Sequence, residues 1–127
     1  MIGVALAGGR GTRLRPFTSL FNKHFFPIGD KPIIYYCLYQ FKLLKIDNIC
    51  IVCNQNDKKF FVKIINHYFS FKKVDFVFQN NPLGINHGIY LVKNKYKSKD
   101  LVINLGDHFL FDMDGNKEIY NSIYKNE

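Results

Sequence analysis

The feature that most constrains the fold is an alternation repeated along the chain. Short apolar runs are followed by stretches whose apolar residues recur at helical spacing. Residues 2–7 (IGVALA), 48–53 (NICIVC), 74–78 (VDFVF) and 101–105 (LVINL) are four runs of strand length, rich in branched and aromatic side chains. Between them, Ile34, Leu38, Phe41 and Leu44 predict a helix over 32–45, with Pro32 in its first turn. Phe61, Ile64, Ile65 and Tyr68 predict a second helix, capped by Asp57. Ile85, Ile89 and Val92 predict a third, ending near residue 95, and the segment from about 116 reads as a fourth. Apolar strands alternating with amphipathic helices predict an α/β fold, a Rossmann-like three-layer sandwich with a mostly parallel sheet. At 127 residues the chain reads as one domain, without repeat or linker. Such sheets bind ligands beyond the carboxyl ends of their strands. Gly8-Gly9, Gln79 and Asp107 each follow a strand run, so they are expected to converge.

Residues 8–30 form a long segment punctuated by Gly8, Gly9, Gly11, Pro16, Pro27 and Gly29. Long loops in compact domains are usually functional. The chain carries 18 basic and 10 acidic residues, a net charge of +8, which points to anionic partners. Only three of the basic residues are arginines, and Arg10, Arg13 and Arg15 all fall in this loop. The planar guanidinium fork fits phosphate bidentately, which lysine does not replace. A glycine-rich turn after a strand also lets backbone N–H groups approach an anion. Two familiar phosphate loops are excluded. No Lys-Ser/Thr pair follows the glycines, as a P-loop requires. Leu14 stands where a dinucleotide fingerprint needs its third glycine, and its ribose carboxylate would be Asp30, which sits in a Gly-Asp-Lys-Pro turn.

No apolar run reaches membrane-spanning length, and the N-terminus lacks the pattern of a secretory signal. Cys37, Cys50 and Cys53 are too few for a disulfide scaffold and suit a reducing compartment, so a cytoplasmic location is expected. Cys50 and Cys53 lie three apart on a strand and point to opposite faces, which argues against a shared metal or redox pair. The four histidines show no metal-ligand spacing. Dispersed lysines without a recognised motif argue against nucleic acid as partner.

The segment LAGGRGTRLRP (6–16) resembles the signature of the sugar-1-phosphate nucleotidyltransferases, the nucleoside-diphosphate-sugar pyrophosphorylases. The resemblance continues through NKHFFPIGDKPIIYYCL (22–38). The Lys-Pro-Ile-Ile-Tyr-Tyr run is most similar to the glucose-1-phosphate thymidylyltransferase group. Gln79 with Pro82 and Gly84, and the strand ending at Leu105-Gly106-Asp107, fit in the same order. The resemblance implies transfer of a nucleotidyl group from a nucleoside triphosphate, dTTP, to a sugar 1-phosphate, glucose 1-phosphate, with release of pyrophosphate. It implies that Arg13 and Lys23 are catalytic, contacting the reacting phosphates. Leu6, Gly8, Gly9, Gly11, Thr12, Arg13, Gln79 and Gly84 would bind the nucleotide, with Gln79 reading the pyrimidine edge. Asp107 would hold Mg²⁺, a hard cation suited to carboxylate and phosphate oxygen.

Each residue also has a plainer reading. The glycines would form a strand-to-helix turn, Lys23 would be a surface lysine, and Asp107 a turn or cap residue. Two positions depart from the family pattern: Asn86-His87-Gly88 after Gly84, and His108 after Gly106-Asp107. Catalytic domains of the family are also longer. The expectation is that residues 1–127 are the nucleotide-binding part of such a domain, and that Asp112 and Asp114 do not replace a second metal-binding carboxylate. The alternative is a non-catalytic nucleotide-binding or regulatory module of the same fold. A truncated sheet would expose an edge, predicting a homo-oligomer or pairing with a complementing C-terminal fragment.

Overall fold

The computed structural model describes residues 1–81 and 83–108. The expected helix from 116, Pro82, Asp112 and Asp114 lie outside them. The chain runs β1 (Ile2–Leu6), α1 (Phe17–Leu20), β2 (Pro27–Ile28), β3 (Lys31–Pro32), α2 (Ile33–Leu43), β4 (Asn48–Cys53), α3 (Lys58–Tyr68), β5 (Lys73–Phe78), α4 (Ile85–Lys95) and β6 (Leu101–Leu105). Four strands form one parallel sheet in the order β5-β4-β1-β6. In register, Val4 stands between Cys50 on one side and Ile103 on the other. β2 and β3 make a separate two-stranded antiparallel ribbon where the long loop ends and α2 begins.

Side chains alternate across β1 and β4 and divide the core into two layers, since successive Cβ atoms point to opposite faces. Ala5, Ala7, Ile49, Ile51 and Cys53 pack with Ile34, Leu38 and Phe41 of α2 and Phe61 and Ile65 of α3. Ile2, Val4, Cys50 and Val52 face the other way, onto Val92 of α4. The result is the three-layer α/β sandwich that the alternation predicted. Cys50 and Cys53 fall in different layers, as their spacing required. Burial pushes the Cys37 and Cys53 thiols up to about 12 and raises that of Cys50 as well. At Gly3, a Cβ would stand 2.8 Å from the Phe41 ring, so glycine there lets α2 settle onto β1.

Two helix ends differ from expectation. Pro32 is the cap residue before α2 rather than part of its first turn. Asp57 precedes α3 without bonding its backbone, because its carboxylate instead accepts a hydrogen bond from Asn22 Nδ2 at 3.1 Å. α2 closes in a Schellman arrangement, with Lys45 N–H donating to the Lys42 carbonyl and Ile46 N–H to that of Phe41. Lys45 takes the left-handed position, at φ 56°. Among the described residues, no helix is long and apolar enough to cross a membrane.

Candidate active site

All four strands of the sheet point the same way, so their carboxyl ends share one edge, and the long loop lies across it. β1 runs out at Leu6 into Ala7, whose N–H donates to the Val52 carbonyl, and Gly106 N–H donates to the Leu6 carbonyl. The ends of β4, β1 and β6 are thereby tied side by side. Gln79 joins them, its N–H donating to the Cys53 carbonyl.

Beside β5, Leu6, Gly8, Gln79 and Gly84 converge. Gln79 is only 6% exposed. A Cβ at Gly8 would stand 2.8 Å from Gln79 Oε1, and one at Gly88 would stand 3.3 Å from that oxygen and 3.4 Å from Leu6 Cδ2. Gln79 Nε2 donates to the Gly84 carbonyl at 3.0 Å and lies 3.1 Å from His87 Nδ1. A carbonyl only accepts, so the amide nitrogen must face Gly84. His87 Nδ1 is then the accepting nitrogen of that ring. Reading a pyrimidine edge, the role the resemblance implies for Gln79, would use its amide both as donor and as acceptor. In the structure its two amide hydrogens already have protein acceptors, while Oε1 lies against the Gly8 turn.

A second group gathers beside β6. Gly11 adopts the left-handed region at φ 57°, and a Cβ there would also meet Thr18 Cγ2 at 2.7 Å and Lys23 Cβ at 3.6 Å. Glycine is required on both counts. Thr18 Oγ1 donates to the Gly11 carbonyl at 2.6 Å and fixes the turn. Thr12–Leu14 continue it as a single 3₁₀ turn on which Arg13 is exposed. Gly9 has open space where a side chain would project.

Lys23 begins a second 3₁₀ turn, Lys23–Phe25. Its ammonium donates to Asp107 Oδ2 at 2.7 Å, both side chains being about one-quarter to one-third exposed. The two residues stand 84 positions apart in sequence. Burial works against the Asp107 charge, but the Lys23 hydrogen bond and its positive charge outweigh that and hold the carboxyl below its ordinary range.

Beneath this pair lies a network the sequence reading missed. Asn22 Nδ2 donates to the Ala7 carbonyl at 3.0 Å and to Asp57 Oδ2 at 3.1 Å. Both partners accept, so the Asn22 carbonyl oxygen faces His24. It takes the His24 N–H at 2.9 Å and lies 2.6 Å from His24 Nδ1. His24 Nδ1 therefore carries the proton. Its Nε2 is buried without a hydrogen-bond partner among the described residues. It lies under Gly106, where a Cβ would come within 2.9 Å of it. Burial first, then the Lys23 charge, with Asp107 opposing, push His24 down to about 4. The only sequence signal was that Asn22 and His24 flank Lys23.

A cleft of about 360 Å³ opens alongside, lined by Gly8, Gly9, Arg10, Arg15, Asn54 and Asn80 among others. Of the three clustered arginines, Arg10 and Arg15 line it, whereas Arg13 does not.

Among the described residues, no group of three His, Cys, Asp or Glu side chains is placed to hold a metal ion. The described donor set therefore does not fit a cation held by its own side chains alone. It does fit the mode in which Mg²⁺ takes one or two carboxylates and completes its shell with substrate phosphates and water. The described carboxylates at this edge are Asp107, paired with Lys23, and Asp57, on the cleft wall.

A family model described as "Nucleotidyl transferase" matches residues 2–127. The chain belongs to the nucleotidyl transferase family. A glucose-1-phosphate thymidylyltransferase from Streptomyces griseus is 30% identical over 110 residues, covering 87% of this chain and 31% of that protein. A solved Bacillus anthracis structure, assigned as a glucose-1-phosphate thymidylyltransferase in complex with sucrose, superimposes with a TM-score of 0.81 at 27% identity. It covers 99% of this chain and 51% of its own. A UDP-glucose pyrophosphorylase complexed with UDP-glucose shares the fold, with a TM-score of 0.81 at 21% identity over 98% of this chain and 53% of its own. This nucleotidyl transferase chain thus spans about a third of that curated relative's length and about half of those solved chains. The resemblance seen in the 6–38 block and the α/β architecture are both borne out.

Proposed function

We propose that this chain binds the nucleoside triphosphate, dTTP, for nucleotidyl transfer to glucose 1-phosphate. In that reaction a phosphate oxygen of the sugar 1-phosphate bonds to the α-phosphorus, and the bond to pyrophosphate breaks. The attacking oxygen is already anionic at neutral pH, so no general base is needed. The barrier lies in bringing two polyanions together and stabilising charge on the phosphoryl oxygens, which positioned cations supply.

The chain's own groups divide into two parts. Leu6, Gly8, Gln79 and Gly84 border the nucleoside, with Gln79 Oε1 accepting a hydrogen bond from the base. Gly9, Gly11 and Thr12 lie along the triphosphate. Arg13 stabilises the departing pyrophosphate, and Lys23 contacts the reacting phosphates. Asp107 would hold Mg²⁺, whose charge neutralises phosphate oxygens when it is bound. The identity to a glucose-1-phosphate thymidylyltransferase supports the choice of base and sugar.

The observation that carries this reading is the Lys23–Asp107 bond at 2.7 Å beside Gly11. Residues read separately from the sequence as phosphate and metal ligands meet at one sheet edge. Calorimetry of the purified chain with dTTP and Mg²⁺, and a pyrophosphate-release assay with glucose 1-phosphate added, test it. Saturable binding that is weakened about tenfold or more, but still measurable, in Lys23→Ala and Asp107→Asn is expected. Binding without pyrophosphate release would make the chain a nucleotide-binding module, and absence of triphosphate binding would overturn the reading.

A further inference from the structure

We infer that Asn22 is a positioning residue that aims Lys23 at the triphosphate. The inference rests on the reading of Lys23 as a phosphate ligand. Lysine is a compact charge on a flexible stem, so where it can reach depends on how its backbone is held. Here the backbone is held from both sides by one amide. Asn22 Nδ2 reaches back to the Ala7 carbonyl, at the start of the glycine turn, and across to Asp57, at the start of α3. Its Oδ1 accepts from the His24 backbone and lies against His24 Nδ1. His24 in turn is 1% exposed and wedged under Gly106, the residue before Asp107. Lys23 thus stands between an anchored residue and a buried one. The glycine turn, the lysine turn and the Asp107 turn are all indexed to a single side chain.

Two properties separate this from ordinary packing. Asn22 is half-buried and fills no apolar core, so its contribution is directional. Every polar atom of its side chain is used, and its partners come from three different segments.

The test is a double-mutant cycle on the full chain, read by calorimetry with dTTP and Mg²⁺, and separately with inorganic tripolyphosphate. Asn22→Ala is expected to weaken both ligands alike, by about threefold to tenfold, because the loss concerns phosphate rather than base. In a Lys23→Ala background the same substitution should change affinity less than about twofold, since a residue acting through Lys23 has nothing left to position. Asn22→Ser serves where Asn22→Ala fails to fold. A serine there retains an acceptor for the His24 N–H but is too short to make the ties to Ala7 and Asp57. An effect of equal size with and without Lys23, or no effect on either ligand, would overturn the inference. Unchanged affinity in Lys23→Ala alone would strike down the underlying reading of Lys23.

Discussion

Replacing Gly106 with alanine places a methyl carbon 2.8 Å from His24 Cδ2, 2.9 Å from His24 Nε2 and 3.1 Å from Ile34 Cδ1. None of these neighbours yields easily. His24 is held through Nδ1 by Asn22 at 2.6 Å, and Ile34 is fully buried in the core. The alternative is to move residue 106, whose N–H bonds the Leu6 carbonyl at 2.9 Å. Overpacking of this kind costs about 1–3 kcal/mol. The entropy that alanine removes from the unfolded chain returns roughly 0.4–1 kcal/mol of that. The net expectation is a loss of about 1–2 kcal/mol. For a chain of 127 residues that lowers Tm by roughly 4–8 °C, since 1 kcal/mol moves Tm by about 4 °C at this size. Thermal melts followed by circular dichroism, with urea titrations alongside, would measure it. Combining Gly106→Ala with His24→Ala, which deletes the obstructing ring, should cost clearly less than the sum of the two single changes. A Gly106→Ala protein as stable as the parent, or strictly additive losses, would refute the close packing of His24 against this turn.

Three further outcomes are expected. His24 is held neutral by burial, at about 4 against 6.5 in the unfolded chain. The unfolded state therefore binds the proton more readily between those values. The stabilisation is fully present above about pH 6.5 and is lost as pH falls toward 4, by about 3 kcal/mol in all. Urea midpoints across pH 4–7 should fall accordingly, and a His24→Gln protein with an unchanged profile would contradict this. Lys45→Gly should stabilise the chain by about 1 kcal/mol, because glycine adopts the left-handed position without the Cβ penalty; an unaltered urea midpoint would count against the Schellman reading. His87→Ala frees one amide hydrogen of Gln79, which should tighten UTP and dTTP by about twofold to tenfold through one added hydrogen bond. Tripolyphosphate affinity should stay constant, and weaker nucleotide binding would show that His87 supports Gln79 rather than competing for it.

Much of the fold was legible because it rests on patterns of short range. The four apolar runs became the four strands of the sheet, within a residue or so at each end. Ile34, Leu38 and Phe41 all turned inward because a period of 3.6 leaves them one face of α2, and Leu44, the cap residue that ends it, is buried with them. Strand direction alone put Gly8, Gln79 and Asp107 at the same end of the sheet, and Gly8 and Gln79 do meet there, whereas Asp107 follows β6, the outer strand opposite β5, and pairs with Lys23 instead. What the pattern could not carry was hydrogen bonding between distant segments. Asn22 bonds partners 15 and 35 positions away, and no periodicity records such a pairing. The misassigned cap has the same origin: Asp57 has the right residue type for capping α3, but Asn22 claims its carboxylate first. The small ribbon of β2 and β3 was missed because two-residue strands have no alternation to read.

The bond between Lys23 and Asp107 has a consequence for the order of events at this edge. At rest each charge silences the other, and a partly exposed pair of this kind is worth only about 1 kcal/mol. A cation that draws the carboxylate away unmasks the ammonium, and an anion that draws the ammonium away unmasks the carboxylate. Each arrival therefore makes room for its opposite, and by thermodynamic reciprocity the help is equal in both directions.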